Sequence, residues 1–205
     1  MPERSSHAAS IAAEKQELRS RLRAAREALP REIVEARSHE AATRLLALDL
    51  SGVQTIALYA GRRGELDPSL AAPALRARGV RTVYPRVAGK ARLEFHAAHE
   101  AALAPAPYDL LEPAAASLPA GSIDAFVVPG VAFTEDGERL GQGGGYYDAT
   151  LSAAPHALRI GYAHDEQVAP FIPTDAHDQR VDVVVTPTRH IHCAPRPGVQ
   201  SGAQS

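Results

Sequence analysis

Cysteine is nearly absent from this sequence, and its scarcity bears on disulfide bonds and on the cellular compartment. Cys193 is the only cysteine among 205 residues, so no disulfide can form within the chain. A chain without disulfides is typical of a reducing compartment, and we therefore expect a cytoplasmic protein. Residues 1–10 are polar and lack the apolar stretch of a secretion signal, which agrees with this expectation.

Long apolar runs and an excess of positive charge are also lacking. No apolar run approaches the roughly 20 residues needed to cross a bilayer, so we expect no membrane partner. The formal net charge is -2, which argues against nucleic acid as the main partner. Lysine is scarce too, since Lys15 and Lys90 are the only lysines.

What is present is the pattern of an α/β protein of one domain. Apolar residues keep helical spacing over 11–29, and Pro30 allows a second helix to begin, which runs to about Leu48. Short apolar runs between turn residues predict strands at 54–60, 80–84, 93–96, 124–128, 158–162 and 181–185.

The order of these elements predicts a mainly parallel sheet. Asp67-Pro68 and Gly79 mark the start and end of a helix between the first two strands, and Pro85 is expected to stop the second strand. A strand, helix, strand unit implies parallel pairing, so we expect a sheet covered on both faces.

The chain ends and one internal stretch are expected to lie outside this framework. We predict a flexible N-terminus over 1–10, a single domain over 11–187 and a flexible tail over 188–205. The Ala- and Pro-rich residues 100–120 are predicted to be an irregular surface connection. The group His190, His192 and Cys193 looks like a small metal cluster, but a surface tail is favoured because a full site needs a fourth ligand.

The most informative segment is residues 139–148, Arg-Leu-Gly-Gln-Gly-Gly-Gly-Tyr-Tyr-Asp. Four glycines in five residues, ahead of a helix predicted at 146–153, can turn backbone N–H groups toward an anion. The helix start adds about 0.3–1 kcal/mol for each nearby negative charge. The segment is not a Walker loop, and Tyr146 occupies the third glycine of a dinucleotide fingerprint. A flexible turn with a helix cap is the alternative interpretation.

Charged neighbours favour phosphate binding over that alternative. Arg139 offers a planar fork of donors for phosphate oxygens. Asp148 would be repelled by a bare phosphate, but a bridging Mg²⁺ removes the conflict. On the first helix, Lys15, Arg19, Arg23 and Arg26 share one stripe, which gives a second set of cations.

Together with further motifs, this segment resembles the 5-formyltetrahydrofolate cyclo-ligases, also called methenyltetrahydrofolate synthetases. The resemblance covers roughly residues 12 to 187 in ordered motifs at compatible spacing. Its motifs are residues 15–19 with Arg26, 58–67, 84–87, 124–133, 139–148, 161–167, 177–178 and 181–186.

The resemblance implies a fold, a reaction and a set of ligands. The fold is a three-layer α/β sandwich like that of the ribose-phosphate isomerase and CoA-transferase group. The reaction converts 5-formyltetrahydrofolate and ATP, with Mg²⁺, into 5,10-methenyltetrahydrofolate, ADP and phosphate. The implied partners are therefore small molecules, and we expect a monomer or a weak homo-oligomer.

The resemblance also implies the residues of the site. ATP-binding positions are Lys15, Gln16, Glu17, Leu18, Arg19, Arg139, Leu140, Gly141, Gln142, Gly143, Gly144, Gly145, Tyr146 and Tyr147. Folate-contacting positions are Ala60, Glu65, Gln142, Gly143, Gly144, Gly145 and Tyr146. Asp148 and Asp178 correspond to the Mg²⁺ ligands. No nucleophile is expected, because the implied chemistry rests on positioning and charge. Gln142 departs from the Arg often found at its position, which removes one cation.

Two other functions remain open. One is a non-catalytic relative that binds folate or nucleotide, which the presence of Lys15, Arg139, Asp148 and Asp178 disfavours. The other is a sugar-phosphate isomerase of the same fold group. An isomerase needs no ATP, so a phosphate-release assay separates it from a ligase.

Overall fold

A seven-stranded mixed sheet forms the centre of the computed structural model, which describes residues 3–97 and 117–196. The strands are β1 (Thr55–Ala57), β2 (Arg81–Gly89), β3 (Arg92–Ala97), β4 (Ala125–Pro129), β5 (Ala132–Phe133), β6 (Arg139–Leu140), β7 (Leu158–Tyr162), β8 (Val183–Val185) and β9 (His190–His192). The order in the large sheet is β3-β2-β1-β4-β7-β8-β9, and β5 and β6 form a separate pair.

Pairing within the large sheet is parallel except at its two edges. Strands β2, β1, β4, β7 and β8 pair in parallel, whereas β3 and β9 pair antiparallel with β2 and β8. This confirms the prediction of a mainly parallel α/β sheet. Parallel neighbours need crossover connections, and these bring helices onto the faces of the sheet.

Helices cover the sheet from both sides and produce three layers. They are α1 (Glu3–Glu27), α2 (Arg31–Ala47), α3 (Ala72–Ala77) and α4 (Tyr146–Ser152). Successive strand residues point to opposite faces. Ile56 therefore packs in one core with Leu45 of α2 and Leu75 of α3, while Ala57 packs in the other with Leu151 of α4. Full burial of such a Leu or Ile stabilises by about 1.5–3 kcal/mol.

Helix α1 packs against a smaller third core beside β5 and β6. Leu18 and Leu22 contact this cluster, which contains Val131, Leu140 and Ile172. The contact lays α1 next to the strand that leads into the glycine-rich segment. None of the helices in the described residues is both long and apolar enough to span a membrane.

Several local predictions are confirmed by backbone geometry. The Oδ1 atom of Asp67 accepts a hydrogen bond from the Ser69 N–H at 2.9 Å and caps a 3₁₀ turn that leads into α3. Gly79 ends that unit with φ 81°, and Gly137 turns the chain with φ 89°. The turn at Gly137 joins β5 and β6, two-residue strands that are too short for a periodicity to show.

The prediction that Pro85 stops the second strand is wrong. Strand β2 continues to Gly89, with Pro85 opposite Phe95 of β3. Pairing of β2 with β1 ends at Val83, so further along β2 has a single strand neighbour. Proline is tolerated there because its missing N–H faces no ladder partner.

Both ends of the domain also differ from the prediction. Helix α1 begins at Glu3, eight residues before the predicted start at Ile11. The irregular tail expected from Pro187 is wrong up to residue 196, because β9 pairs with β8 and Arg196 is only 8% exposed. Strand β9, which is His-Ile-His, escaped prediction because it contains no apolar run, unlike the equally short β8. Of the predicted connection at 100–120, residues 100–116 lie outside the described residues, as do residues 197–205 of the tail.

Candidate functional site

A cavity of about 1420 Å³ lies where α1, the loop after β1, the glycine-rich segment and residues 175–179 meet. The predicted site residues on its wall are Lys15, Arg19, Ala60, Glu65, Asp178 and all of residues 139–148. The strands β1 and β4 end at this edge of the sheet, which is where parallel α/β folds commonly bind ligands. Of the predicted ATP positions on α1, Gln16 and Glu17 are exposed and Leu18 packs in the third core instead.

The glycine-rich segment approaches its neighbours too closely for side chains. A Cβ at Gly141 would lie 2.7 Å from Nη1 of Arg139, and one at Gly144 would lie 2.7 Å from the ring of Tyr146. Gly143 and Gly145 have φ values of 99° and 69°, which other residues rarely adopt. Glycine is thus required by both space and conformation, and the backbone of this segment faces the cavity without side chains.

Lys15 is a buried cation held by two carboxylates. Its Nζ lies 2.8 Å from Oδ2 of Asp175 and 2.5 Å from Oδ2 of Asp178, and the residue is 6% exposed. Burial lowers the pKa of Lys15, but the hydrogen bonds from these two carboxylates outweigh burial, so the net pKa is raised. The lysine therefore stays charged at neutral pH, at the wall of the cavity.

Arg139 and Asp148 form a second cation–carboxylate pair in the glycine-rich segment. Nη2 of Arg139 donates to Oδ1 of Asp148 at 2.7 Å, and Nη1 donates to the Pro129 carbonyl at 3.3 Å. The guanidinium also lies 5.9 Å from the ring centroid of Tyr147, within cation–π range. The backbone N–H of Gln179 donates to the same Oδ1 atom of Asp148 at 3.3 Å, which ties α4 to the segment that carries Asp178.

Glu65 sits on the other side of the cavity in a more enclosed setting. Its side chain is 15% exposed, and Oε1 lies 3.2 Å from Nη1 of Arg26. Burial raises the pKa of Glu65, although the Arg26 cation and a hydrogen bond from the Arg62 N–H oppose the shift. The chain turns closely here, because a Cβ at Gly64 would lie 2.6 Å from the Arg26 carbonyl oxygen.

Gln142 connects the Glu65 side of the cavity to α1. Its Nε2 donates to Oε1 of Glu65 at 3.3 Å, and its Oε1 accepts from Nη2 of Arg23 at 2.6 Å. Nearby, Nε of Arg19 donates to the Gly141 carbonyl at 2.9 Å. The predicted stripe on α1 therefore faces the site, as its spacing indicates.

Carboxylates and tyrosines define what the cavity can bind. Asp148 and Asp178 are hard oxygen donors, the type Mg²⁺ prefers, and one or two such carboxylates with substrate phosphates suffice for it. Both are paired with cations here, and no group of three or more metal-ligating side chains occurs within residues 3–97 and 117–196. Burial raises the pKa of Tyr147, so its phenol stays neutral.

Two residues at this site were not predicted from the sequence. Asp175 shares Lys15 with Asp178, and Gln179 contacts Asp148. Asp175 lies three residues before Asp178, a spacing that could have marked it as a neighbour. Gln179 contacts Asp148 through its backbone N–H, and the identity of a side chain does not predict a backbone contact.

Comparisons with known proteins identify the family of this chain. Residues 11–187 match the model of the 5-formyltetrahydrofolate cyclo-ligase family. A 5-formyltetrahydrofolate cyclo-ligase of Mycolicibacterium smegmatis is 31% identical over 186 residues, which cover 86% of this chain and 95% of that protein. The cyclo-ligase of Escherichia coli K12 is 43% identical over 74 residues, so the match spans only 41% of its length and 35% of this chain.

Solved structures show the same relationship. A 5,10-methenyltetrahydrofolate synthetase from Aquifex aeolicus has a TM-score of 0.76 at 29% identity, with 92% of this chain and 97% of that chain covered. A second, from Mycoplasma pneumoniae, has a TM-score of 0.71 at 25% identity, with 85% and 99% covered. The match to the family model includes the whole cavity wall from Lys15 to Gln179, and the chain belongs to the 5-formyltetrahydrofolate cyclo-ligase family.

Proposed function

We propose that the protein catalyses the ATP-dependent cyclisation of 5-formyltetrahydrofolate to 5,10-methenyltetrahydrofolate. One observation carries the proposal: a single cavity joins a wall of cations and glycines to a wall that holds the largely buried Glu65. The first wall suits a polyphosphate, and the second offers hydrogen-bond acceptors to a nitrogen heterocycle. Family membership supports the same pair of ligands.

The reaction needs an activated formyl oxygen. The formyl group on N5 of the folate is an amide, and its carbon resists attack. Transfer of the γ-phosphoryl group of ATP to the formyl oxygen breaks the bond to the β-phosphate and releases ADP. N10 then attacks the formyl carbon and loses its proton, the phosphate leaves with the oxygen, and the ring closes.

In this proposal the chain contributes charge and alignment instead of a nucleophile. Lys15 and Arg139 place buried positive charge beside the phosphates, and the bare backbone of 141–145 brings N–H groups close to them. Because both cations are already held by carboxylates, they are preorganised before the nucleotide binds. Positioning and charge stabilisation of this kind account for most catalysis of phosphoryl transfer.

The magnesium ion belongs to the proposal. Asp148 and Asp178 would hold it together with the phosphates, and they fit because carboxylate oxygens are its preferred protein ligands. When bound, the ion would neutralise phosphate charge and polarise the transferred group. The two carboxylates lie 2.7 Å from Arg139 and 2.5 Å from Lys15, so the same cations that would face the phosphates also hold the carboxylates in place.

On the folate side, Glu65 would accept hydrogen bonds from the amine donors of the pterin. The carboxylate keeps contacts to Arg26, to the Arg62 N–H and to Gln142, which fix its direction. Tyr146 lies between the two walls, where its ring can pack against the folate. Ala60 offers only a small side chain, so the backbone at this position leaves room for the ligand.

An absorbance assay tests the proposed reaction. Purified protein with 5-formyltetrahydrofolate, ATP and Mg²⁺ should form 5,10-methenyltetrahydrofolate, and omission of ATP or Mg²⁺ should each abolish it. Product formed without ATP would rule out a ligase. Phosphate release that does not depend on folate would also contradict the proposal, and it would leave a simple ATPase.

We further propose a cytoplasmic protein that acts as a monomer or a weak homo-oligomer with one domain over residues 11–187. Burial raises the pKa of the Cys193 thiol to about 11, so this thiol stays mainly protonated at neutral pH. Cell fractionation tests the location, and light scattering across a concentration series tests the oligomeric state.

A further inference from the structure

Arg159 is a buried arginine outside the cavity wall, and its two terminal nitrogens bond to elements that carry site residues. It lies on β7 and is 4% exposed. Burial lowers the pKa of Arg159 to about 10, and the nearby Arg196 cation adds to the shift, so the side chain remains charged at neutral pH. A buried charge needs hydrogen-bonding partners, and these partners show what the side chain holds together.

The guanidinium of Arg159 joins the end of α4 to the segment after Asp178. Its Nη2 donates to the Leu151 carbonyl at 2.7 Å, in the last turn of α4. Its Nη1 donates to Oε1 of Gln179 at 3.1 Å and to the Arg180 carbonyl at 3.2 Å. A planar fork can donate in these two directions at once, whereas a single ammonium cannot.

Both elements held by Arg159 carry one of the two acidic residues proposed for the metal. Asp148 lies one turn into α4, and Asp178 directly precedes Gln179. The Gln179 N–H also donates to Oδ1 of Asp148, so the segment touches α4 beside that carboxylate. Arg159 therefore bonds to both elements that carry these carboxylates, and the Gln179–Asp148 hydrogen bond joins the same two elements.

We propose that Arg159 is a positioning residue for the magnesium–phosphate side of the site, because it fixes Asp148 relative to Asp178. The inference rests on the proposed function for the identity of the ligand. The claim that Arg159 holds residues 178–180 against α4 does not depend on that function. Arg159 touches neither substrate, so its effect must pass through these two elements.

Arg196 offers a matched control in the same network. It is 8% exposed, and its Nε lies 2.5 Å from Oδ1 of Asp182, whose Oδ2 accepts from the Arg159 N–H at 2.8 Å. Its other donors reach the carbonyls of Pro155 and Ala157, both at 3.0 Å, and not the segment after Asp178. Arg159→Lys and Arg196→Lys thus each remove a buried fork, but only the first loosens the site.

Two measurements on the purified full chain compare these variants. Amide hydrogen exchange reports whether the Gln179 N–H stays protected, with no ligand present. Calorimetric titration reports ATP affinity with Mg²⁺ and, separately, with a chelator. In Arg159→Lys we expect exchange at Gln179 to rise about tenfold. We expect MgATP affinity to fall about tenfold, as for supporting residues of metal sites, with metal-free ATP affinity nearly unchanged.

Arg196→Lys should lower the melting temperature but leave exchange at Gln179 and MgATP affinity near the values of the unmodified protein. Unchanged MgATP affinity in folded Arg159→Lys overturns the inference, and so does an equal loss in both variants. If Arg159→Lys does not fold, Gln179→Ala takes its place with the same criteria and a smaller expected loss, because it removes the contact of Arg159 with Gln179 but keeps the contact with the Arg180 carbonyl. Failure of the unmodified protein to bind MgATP contradicts the proposed function, while the exchange comparison still decides whether Arg159 holds the segment.

Discussion

The two walls of the cavity use the same device, a cation beside a carboxylate, in unlike surroundings. Lys15 lies 2.8 and 2.5 Å from Asp175 and Asp178, and the hydrogen bond from Lys15 lowers the pKa of Asp175. Glu65 lies 3.2 Å from Arg26, yet burial outweighs that cation and raises the pKa of Glu65. Surroundings, more than residue type, therefore decide how firmly each carboxylate keeps its charge.

The difference fits two tasks. The Asp175 carboxylate, which keeps its charge to lower pH, suits a wall that must hold the Lys15 cation in place for phosphates. A carboxylate that is enclosed and held by directional contacts suits recognition of a neutral heterocycle, where the position of each acceptor matters more than net charge. If this division is real, substitutions on one wall should affect one ligand and leave the other nearly unchanged.

The largest expected effect comes from Asp148→Asn on the phosphate wall. The change removes a proposed metal ligand and leaves the 5% exposed Arg139 without its ionised partner. We expect kcat/KM to fall about 100-fold, in the range for loss of one strong electrostatic contact. The Mg²⁺ concentration for half-maximal activity should rise, while calorimetry should show folate affinity nearly unchanged.

Asp175→Asn is the control for that experiment. Asp175 pairs with Lys15, as Asp148 pairs with Arg139, but it is not a proposed metal ligand. Its side chain is 48% exposed. Its replacement should change the Mg²⁺ requirement little. A shift as large as that of Asp148→Asn would mean that general loss of negative charge, and not ligation, sets the requirement.

Lys15→Ala should have the next largest effect, on nucleotide affinity. Loss of a charged hydrogen bond to phosphate costs about 1.5–3 kcal/mol. Calorimetry should therefore show weaker ATP binding with folate affinity much less changed. Arg21→Ala removes an exposed cation from the same helix outside the cavity wall, and it should leave ATP affinity intact. Equal losses of ATP affinity in the two variants would mean that Lys15 acts only through long-range charge and not through contact with phosphate.

How far the sequence predicts these walls depends on the range of each contact. The cation stripe on α1 and the glycine-rich segment are local patterns, so their positions could be read before the fold was known. The sharing of Lys15 by Asp175 and Asp178 joins residues 160 and 163 positions apart, which no local pattern contains. That contact depends on tertiary packing of α1.

The fold shows the same limit. Strands β4 and β7, five residues each, were predicted because buried apolar runs between turn residues are distinctive. Strands β5, β6 and β9 span two or three residues and, unlike the short β1 and β8, do not lie within a longer apolar run bounded by turn residues, so they were not predicted. The prediction that Pro85 stops the second strand failed because a proline ends a strand only where its missing N–H would have had a ladder partner. Whether it has one depends on the order of strands in the sheet.

On the folate wall, Glu65→Gln should impair folate binding about tenfold and leave MgATP binding nearly intact. The amide keeps one acceptor but loses the charge and the second acceptor, each worth about 1.5–3 kcal/mol when fully lost. The comparison with Asp148→Asn is the test, because that variant should do the reverse. If both folded variants lose both ligands equally, the two walls do not divide the labour.

A pH titration sharpens the same contrast. Because the pKa of Glu65 is raised, its ionised form is lost as pH falls, and this begins above the ordinary pKa of a glutamate. Folate affinity should therefore decline on the acid side, and Glu65→Gln should flatten that decline. Asp175 has a lowered pKa, so this carboxylate on the phosphate wall should keep its charge through the same pH interval. A decline unaltered by Glu65→Gln would assign it to another group.

Gln142 should give the smallest effect, because it is exposed and bridges the walls through a neutral amide that carries no charge of its own. Gln142→Leu loses its contacts with Arg23 and Glu65, worth about 0.5–1.5 kcal/mol each and near the low end at an exposed site. We expect about threefold weaker binding of each ligand when the other is present, and less when it is absent. The reason is that one amide holds both the helix that faces ATP and the carboxylate that faces folate.

Calorimetry of each ligand with and without the other, repeated for Arg23→Ala and the double variant, measures this coupling. Additive losses in the double variant would show that Gln142 and Arg23 act independently and that the two walls are not coupled through this bridge.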